Sequence, residues 1–264
     1  MKKYLVIGNP VEHSLSPKLH NFWIKKNNIS ALYDKKKLEE NEIENFIENI
    51  KKRIVTGSNI TVPFKKTVIP YLDKLSHEAE LTQSVNTIIF QNDRLVGYNT
   101  DIVGFSKAIE KTNFVVKNKK IFILGAGGVV PSIIFSLKRM QVSEIIISNR
   151  TKEKAEDLKN YFDNLKVINW GEVPTFDMII NATSLGLNNE SIELDFSNIG
   201  KDKLFYDVIY NPSETKFLKK GRELGNRTEN GKLMFIYQAH ESFKLWHDID
   251  PLIDEETLKL FEND

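Results

Sequence analysis

"KKIFILGAGGVVPSIIFSLKRM", residues 119–140, sets a short apolar run against a glycine-rich turn and then an amphipathic segment. Strand, turn and helix in this order open a βαβ unit, and the next strand, "EIIISNR" (144–150), follows at once. Gly125, Gly127 and Gly128, with Ala126 and Val129 completing the turn, let the chain bend tightly. They also let a pyrophosphate approach the amides at the helix N-terminus, where the helix dipole favours negative charge. Val130 stands where the G-x-G-x-x-G pattern has its third glycine. A purely structural βα turn looks similar, but the complete strand–turn–helix–strand order favours nucleotide binding.

Working outward, "NLKVINW" (164–170), "FDMIINAT" (176–183) and "KLFYDVIY" (203–210) continue the strand series, and "IVGFSKAIEKTN" (102–113) supplies a helix ahead of it. The pattern predicts a doubly wound, Rossmann-type domain. Its second strand ends in "SNRT" (148–151), without the acid that would bind a ribose 2′-hydroxyl. An arginine there suits a 2′-phosphate through paired, charge-assisted bonds, so Asn149, Arg150 and Thr151 favour NADP over NAD. The plainer reading of Arg150 is a solvated residue closing a strand. Thr183 either lines the cofactor crevice or serves its turn.

The first hundred residues also alternate strands and helices. "YLVIG" (4–8), "ALYDKKKL" (31–38) and "GSNITVP" (57–63) read as strands, and 17–27 and "NEIENFIENIKK" (41–52) as helices. "KKTVIPYLDKLSHEAELT" (65–82) reads as helical, broken at Pro70. "SVNTIIFQNDRLVGYNTD" (84–101) reads as a hairpin turning at "QND". The alternation predicts an α/β layer with a largely parallel sheet. "FIYQAHESFKLWHDI" (235–249) closes the chain with an amphipathic helix.

Polar residues gather at strand ends in this first part: Asn59, Thr61 and Lys65, then Asn86, then Asn99, Thr100 and Asp101. Singly, each is ordinary turn chemistry. Together, along one sheet edge, they would offer a hydroxyl-rich ligand many hydrogen bonds and a Lys/Asp pair for proton transfer. The plainer readings of Lys65 and Asp101 are a surface lysine and a helix N-cap. "HSLSP" (13–17) has two readings as well: Ser16 as N-cap with Pro17 at the first helical position, or Ser14 and Ser16 turned toward a ligand.

Composition narrows the function classes. In 264 residues, 37 Lys and Arg balance 36 Asp and Glu, leaving a net charge of +1 and no basic footprint for nucleic acid or an anionic membrane. There is no cysteine, which excludes disulfides, thiol catalysis and thiolate metal sites, and the five histidines form no ligand cluster. No metal is expected. No apolar stretch approaches a membrane span, and the N-terminus lacks the pattern of a secretory signal, so a cytoplasmic location is expected.

In order, "GNPVEHSLSPKLHN" (8–21), "NITVPFK" (59–65), "VNTI" (85–88), "GYNTDIVGF" (97–105), "GAGG" (125–128), "SNRT" (148–151), "NATSLG" (181–186), "YDVIYNP" (206–212) and "NGKLMFIYQA" (230–239) cover the chain nearly end to end. The chain resembles the shikimate dehydrogenase family. That resemblance implies reduction of 3-dehydroshikimate to shikimate by NADPH, in two α/β domains with a cleft between them. Residues 1–101, completed by 236–264, would form the substrate domain and 102–235 the NADP-binding domain. It implies that Ser14 and Ser16 hold the substrate carboxylate, with Tyr210 at the same end. Asn59, Thr61, Asn86, Asp101 and Gln238 would bind the ring hydroxyls, and Lys65 with Asp101 would carry the proton chemistry. Val208 joins the cofactor residues, and Gly231 lies to the nicotinamide side. Monomer and homodimer are both open. Two other readings stand beside this one: a relaxed quinate/shikimate enzyme also using NAD, and a non-catalytic NADP or shikimate sensor. Val130 and Pro131 depart from the small residues usual in the family's diphosphate loop, His77 stands where many members carry an acid, and "NGKLM" is looser than the usual glycine-rich version.

Overall fold

The computed structural model describes residues 1–261. The chain forms two compact units, one made of residues 1–101 with 236 onward, the other of residues 102–235.

The first unit contains β1 (Lys2–Gly8), α1 (Ser16–Lys26), β2 (Ala31–Lys37), α2 (Ile43–Lys51), β3 (Gly57–Ile60), β4 (Lys74–Leu75), α3 (His77–Thr82), β5 (Thr87–Gln91) and β6 (Arg94–Tyr98). Its strands form one sheet in the order β2-β1-β3-β5-β6-β4. In α2, Ile43, Phe46, Ile47 and Ile50 are buried at helical spacing. They pack in one core with Leu5, Ile7, Ile60, Ile88 and Leu95 of the strands. A second, aromatic cluster joins Tyr4, Tyr33, His20 and Trp23 to Phe243 and Trp246.

The sheet is largely parallel, as the alternation predicts, with one reversed strand, β5; β4 and β6 pair in parallel. β1 runs parallel to β2 and β3, but β5 runs antiparallel to β3 and to β6. The hairpin causes the reversal: Asn92 and Asp93 form its two-residue turn with φ of 50° and 57°, the left-handed pair that matches strand twist. As a result the end of β3, the start of β5 and the end of β6 meet at one edge, where Asn59 pairs with Thr87 and Thr87 with Tyr98.

The helical reading of 65–82 holds for α3 and for a single 3-10 turn at Ile69–Tyr71, with the chain extended between them. Pro70 lacks the amide that a continuous helix would need. Asp73 is instead drawn to β6, its carboxylate accepting the Leu95 amide at 2.7 Å, and the chain enters β4. Ser76 then caps α3, accepting the Ala79 amide at 3.2 Å.

The second unit holds α4 (Asp101–Lys111, all but its first residue), β7 (Lys120–Leu124), α5 (Val130–Arg139), β8 (Glu144–Ser148), α6 (Lys152–Glu156), β9 (Leu165–Ile168), β10 (Met178–Asn181), β11 (Leu204–Asp207), α7 (Lys216–Glu223) and β12 (Arg227–Glu229). All its strand pairings are parallel, in the order β12-β11-β10-β7-β8-β9. That is the doubly wound order, with its switch point between β7 and β10. Ile121, Ile123, Met178 and Ile180 face a core shared with Phe105, Ile109, Ile133 and Leu137, while Phe122, Ile179 and Phe205 face another with Phe217 and Leu218. Strands covered on both faces read as unbroken apolar runs. Helices α8 (Lys232–His247) and α9 (Glu255–Lys259) follow, and from Ile236 the chain belongs to the first unit again.

Candidate active site

In the first unit the polar edge of the sheet is a connected set. Lys65 follows the turn after β3 and has a side chain only 10% exposed; its Nζ lies 2.5 Å from Asp101 Oδ2. Asp101 opens α4, where the helix dipole favours a carboxylate. Asn86 directs its Nδ2 to Asp101 Oδ1 at 3.0 Å and to Gln238 Oε1, on α8, at 3.3 Å. Lys65 is therefore a buried residue, and the Asp101 carboxylate is engaged by Lys65 and Asn86. Asn99 turns away from this group and donates to Thr82 Oγ1 at 2.9 Å.

Asn59 lies behind Asn86, donating to its main-chain oxygen at 3.0 Å while Tyr33 donates to Asn59 Oδ1 at 2.6 Å. Thr61 is held at the mouth of β1, its amide bonded to Ile7 O at 2.9 Å. Only glycine fits at position 8, because a Cβ there would lie 2.4 Å from Thr61 Cγ2 and 2.9 Å from Val62 O.

The capping reading of Ser16 fails. Helix α1 has Leu15 as its N-cap and no side-chain capping bond, so Ser16 is already the first helical residue. Ser14 Oγ accepts the Ser16 amide at 3.3 Å, a turn bond that leaves the Ser14 hydroxyl hydrogen free to donate.

In the second unit, Gly125 directly follows β7 with φ of 107°, and a Cβ there would meet Ala182 O at 2.8 Å. Its amide bonds Ser148 O at 2.8 Å, fixing the turn against β8. At Gly127 a Cβ would meet nothing within 4 Å, so the turn is open above the start of α5. Val130 is fully buried in the core and Pro131 occupies the first turn of α5, a position that needs no amide donor. Arg150 is exposed at the end of β8, and Asn149 folds back to donate to Thr151 O at 2.7 Å. Thr183 donates to Asn181 Oδ1 at 2.7 Å and accepts the Leu185 amide, so its hydroxyl serves its turn.

Asn181 also donates to Asp207 Oδ1 at 3.1 Å, and Thr215 donates to Asp207 Oδ2 at 2.6 Å. Burial pushes the Asp207 carboxyl up to about 6, against the lowering effect of these bonds. Val208 and Gly231 touch: a Cβ on Gly231 would fall 2.1 Å from Val208 O. Tyr210 stacks on Phe235 with ring centres 4.4 Å apart.

Two family descriptions match the chain, "Shikimate dehydrogenase substrate binding domain" over residues 6–88 and "Shikimate / quinate 5-dehydrogenase" over residues 107–205. A shikimate dehydrogenase (NADP(+)) from Pelagibacter ubique is 57% identical over 262 residues, covering 99% of both chains. The chain belongs to the shikimate dehydrogenase family. Among solved structures of the family, a shikimate dehydrogenase in complex with NADP+ superposes with a TM-score of 0.91 at 33% identity, covering 100% of this chain and 96% of that one. A Thermus thermophilus shikimate 5-dehydrogenase in complex with NADP(H) and shikimate gives 0.88 at 28% identity, covering 98% and 97%. Within the family's fold, His77 is an exposed residue in the first turn of α3. No helix among the described residues is long and apolar enough to cross a membrane.

Sequence reasoning missed Tyr33, Thr87 and Ser242 in the first unit, and Asp207 with Thr215 in the second. An acid closing the apolar run "LFYD" (204–207) was a usable signal for Asp207.

Proposed function

We propose that this chain is an NADP-dependent shikimate dehydrogenase that reversibly reduces 3-dehydroshikimate to shikimate, a step toward the aromatic amino acids. The observation that carries the mechanism is the buried contact between Lys65 Nζ and Asp101 Oδ2, 2.5 Å apart, at a sheet edge crowded with amide and hydroxyl groups. Reduction of a ketone builds negative charge on its oxygen. The Lys65 ammonium stabilises that charge and delivers the proton; in the oxidative direction its neutral form accepts the proton from the hydroxyl. Asp101 orients the lysine and accepts a bond from the substrate hydroxyl, with Asn86 holding the carboxylate in place. Gln238 and Thr61 bind ring hydroxyls, and Ser14 and Ser16 donate to the acceptor-only carboxylate.

NADPH, when bound, supplies the hydride. The second unit suits it: an open glycine turn at the switch point, a helix N-terminus beyond it, and Arg150 instead of an acid at the end of β8. Gly125 to Val129 would hold the diphosphate, Asn149 to Thr151 the 2′-phosphate, and Val208 and Gly231 the nicotinamide half, with Thr183 lining the crevice by its turn and not by its hydroxyl. We read the enzyme as cytoplasmic, and as a monomer or homodimer that gel filtration distinguishes.

The test is absorbance at 340 nm with shikimate, quinate, NADP and NAD in all four pairings. Turnover confined to shikimate with NADP is the expected result. Comparable rates with quinate or NAD would make it a relaxed quinate/shikimate enzyme, and binding without turnover would make it a sensor.

A further inference from the structure

We propose that Ser242, on the buried side of α8, is a positioning residue for the reaction: it keeps Asn86 in the orientation that supports Asp101. The inference rests on the assignment of Lys65 and Asp101 to the proton chemistry.

The orientation of the Asn86 amide is unambiguous. The Thr100 backbone N–H can only donate, and it lies 2.7 Å from Asn86 Oδ1, so the Nδ2 end faces Asp101. Asn59 is fixed by the same logic. Its Nδ2 lies 3.0 Å from the Asn86 carbonyl, which can only accept, and Tyr33 donates to its Oδ1. Both ends of Asn59 are thus engaged by protein groups, and it acts on the site through Asn86.

Ser242 is fully buried, and its hydroxyl donates to Gln238 O, one turn earlier, at 3.0 Å. That leaves its oxygen as an acceptor. Asn59 Nδ2 lies 3.0 Å from it, Thr87 Oγ1 2.8 Å and Thr100 Oγ1 3.1 Å. The two threonine hydroxyls each lie 3.1 Å from Asn86 Oδ1 as well. Each has one hydrogen to give. With Ser242 present, one threonine donates to the serine and the other to Asn86. Without it, the acceptors left to them are Asn86 Oδ1, which already accepts the Thr100 amide, and each other's oxygen at a long 3.4 Å. A buried donor without an acceptor is costly, so the group relaxes by turning Asn86 or Thr100, and either movement withdraws Nδ2 from Asp101. A serine inside a helix bonding the carbonyl four residues back adds little to the helix itself, which directs attention to the three partners on its other side.

Ser242→Ala, Thr87→Val and the double variant test this through steady-state kinetics and thermal midpoints. Ser242→Ala is expected to lower kcat roughly ten- to a hundredfold, the scale of a small misplacement of catalytic groups, while KM for NADP stays within about twofold. Thr87→Val acts in the same direction. Removing both partners leaves fewer unsatisfied donors, so the double variant regains thermal midpoint while kcat remains low. A double variant whose kcat returns along with its midpoint overturns the proposal, because the serine would then serve stability alone. Should Ser242→Ala fail to fold, unchanged kcat in Thr87→Val overturns it equally. Full kcat in Ser242→Ala beside an active wild type defeats the proposal by itself; a wild type without shikimate-dependent turnover defeats it together with the dehydrogenase reading.

Discussion

Lys65 and Asp101 face each other with side chains 10% and 8% exposed, closer to solvent exclusion than to a surface ion pair. In the proposed mechanism Lys65 acts on a charge that develops only during reaction. Lys65→Ala is therefore expected to lower kcat by about two to four decades with substrate affinity nearly unchanged. A defect confined to KM would remove Lys65 from the proton chemistry.

Arg150, exposed at the end of β8, is expected to discriminate between cofactors. Arg150→Ala should weaken NADP binding by on the order of 1.5–3 kcal/mol, the value of a charge-assisted bond, and leave NAD binding almost unaltered. Fluorescence titration with both cofactors measures the difference; equal weakening would assign the arginine to local structure.

The two serines of "HSLSP" should now separate. Ser16 supplies no capping bond, so Ser16→Ala should keep its thermal midpoint while shikimate KM rises. Ser14→Ala also removes the acceptor for the Ser16 amide, so it should raise KM and lose about 0.5–1.5 kcal/mol of stability. Normal KM in both variants would detach the stretch from the substrate.

His20 gives the protein an acid weakness. It is enclosed among Tyr33, Trp23, Phe243 and Trp246, and burial, then the neighbouring His247, push its pKa down to about 3. The unfolded chain takes up this proton near the ordinary value of about 6.5, whereas the folded chain does not until near 3. Below about pH 6.5 the unfolded state binds more protons, so stability falls as pH falls, by about 1.4 kcal/mol per unit for this one group. His20→Phe keeps a ring stacked on Tyr33 and removes the titration. Urea unfolding at pH 7 and pH 5 should show a smaller acid loss in the variant. Equal losses would mean that His20 contributes nothing to acid sensitivity.

The second unit was easiest to read from sequence because its strands are buried on both faces and end in turn residues, so each appears as a bounded apolar run. The first unit was harder. Its hairpin was visible in "QND", but alternation alone does not show that β5 is the strand that runs against its neighbours while β6 and β4 keep the direction of β3. Asp73 left the expected helix for a bond to Leu95, 22 residues on, which no local pattern announces. The site divides the same way. Asn59, Lys65, Asn86 and Asp101 stand out as polar groups ending apolar runs. Ser242 does not, because it sits within a helix and its partners Thr87 and Asn59 are 155 and 183 residues away in the chain.

The β5–β6 hairpin delivers Asn86 at its entry and Thr100 and Asp101 at its exit, so one contiguous block of 16 residues carries three neighbouring members of the site. Its tip, the exposed pair Asn92 and Asp93, lies five strand residues from that edge, about 17 Å at the rise of a β-strand. The tip can accept a graft that the ladder cannot. A peptide tag or fluorophore inserted between Asn92 and Asp93 would leave the pairing of Thr87 with Tyr98 in register, giving an attachment point wired to the site only through the strands themselves.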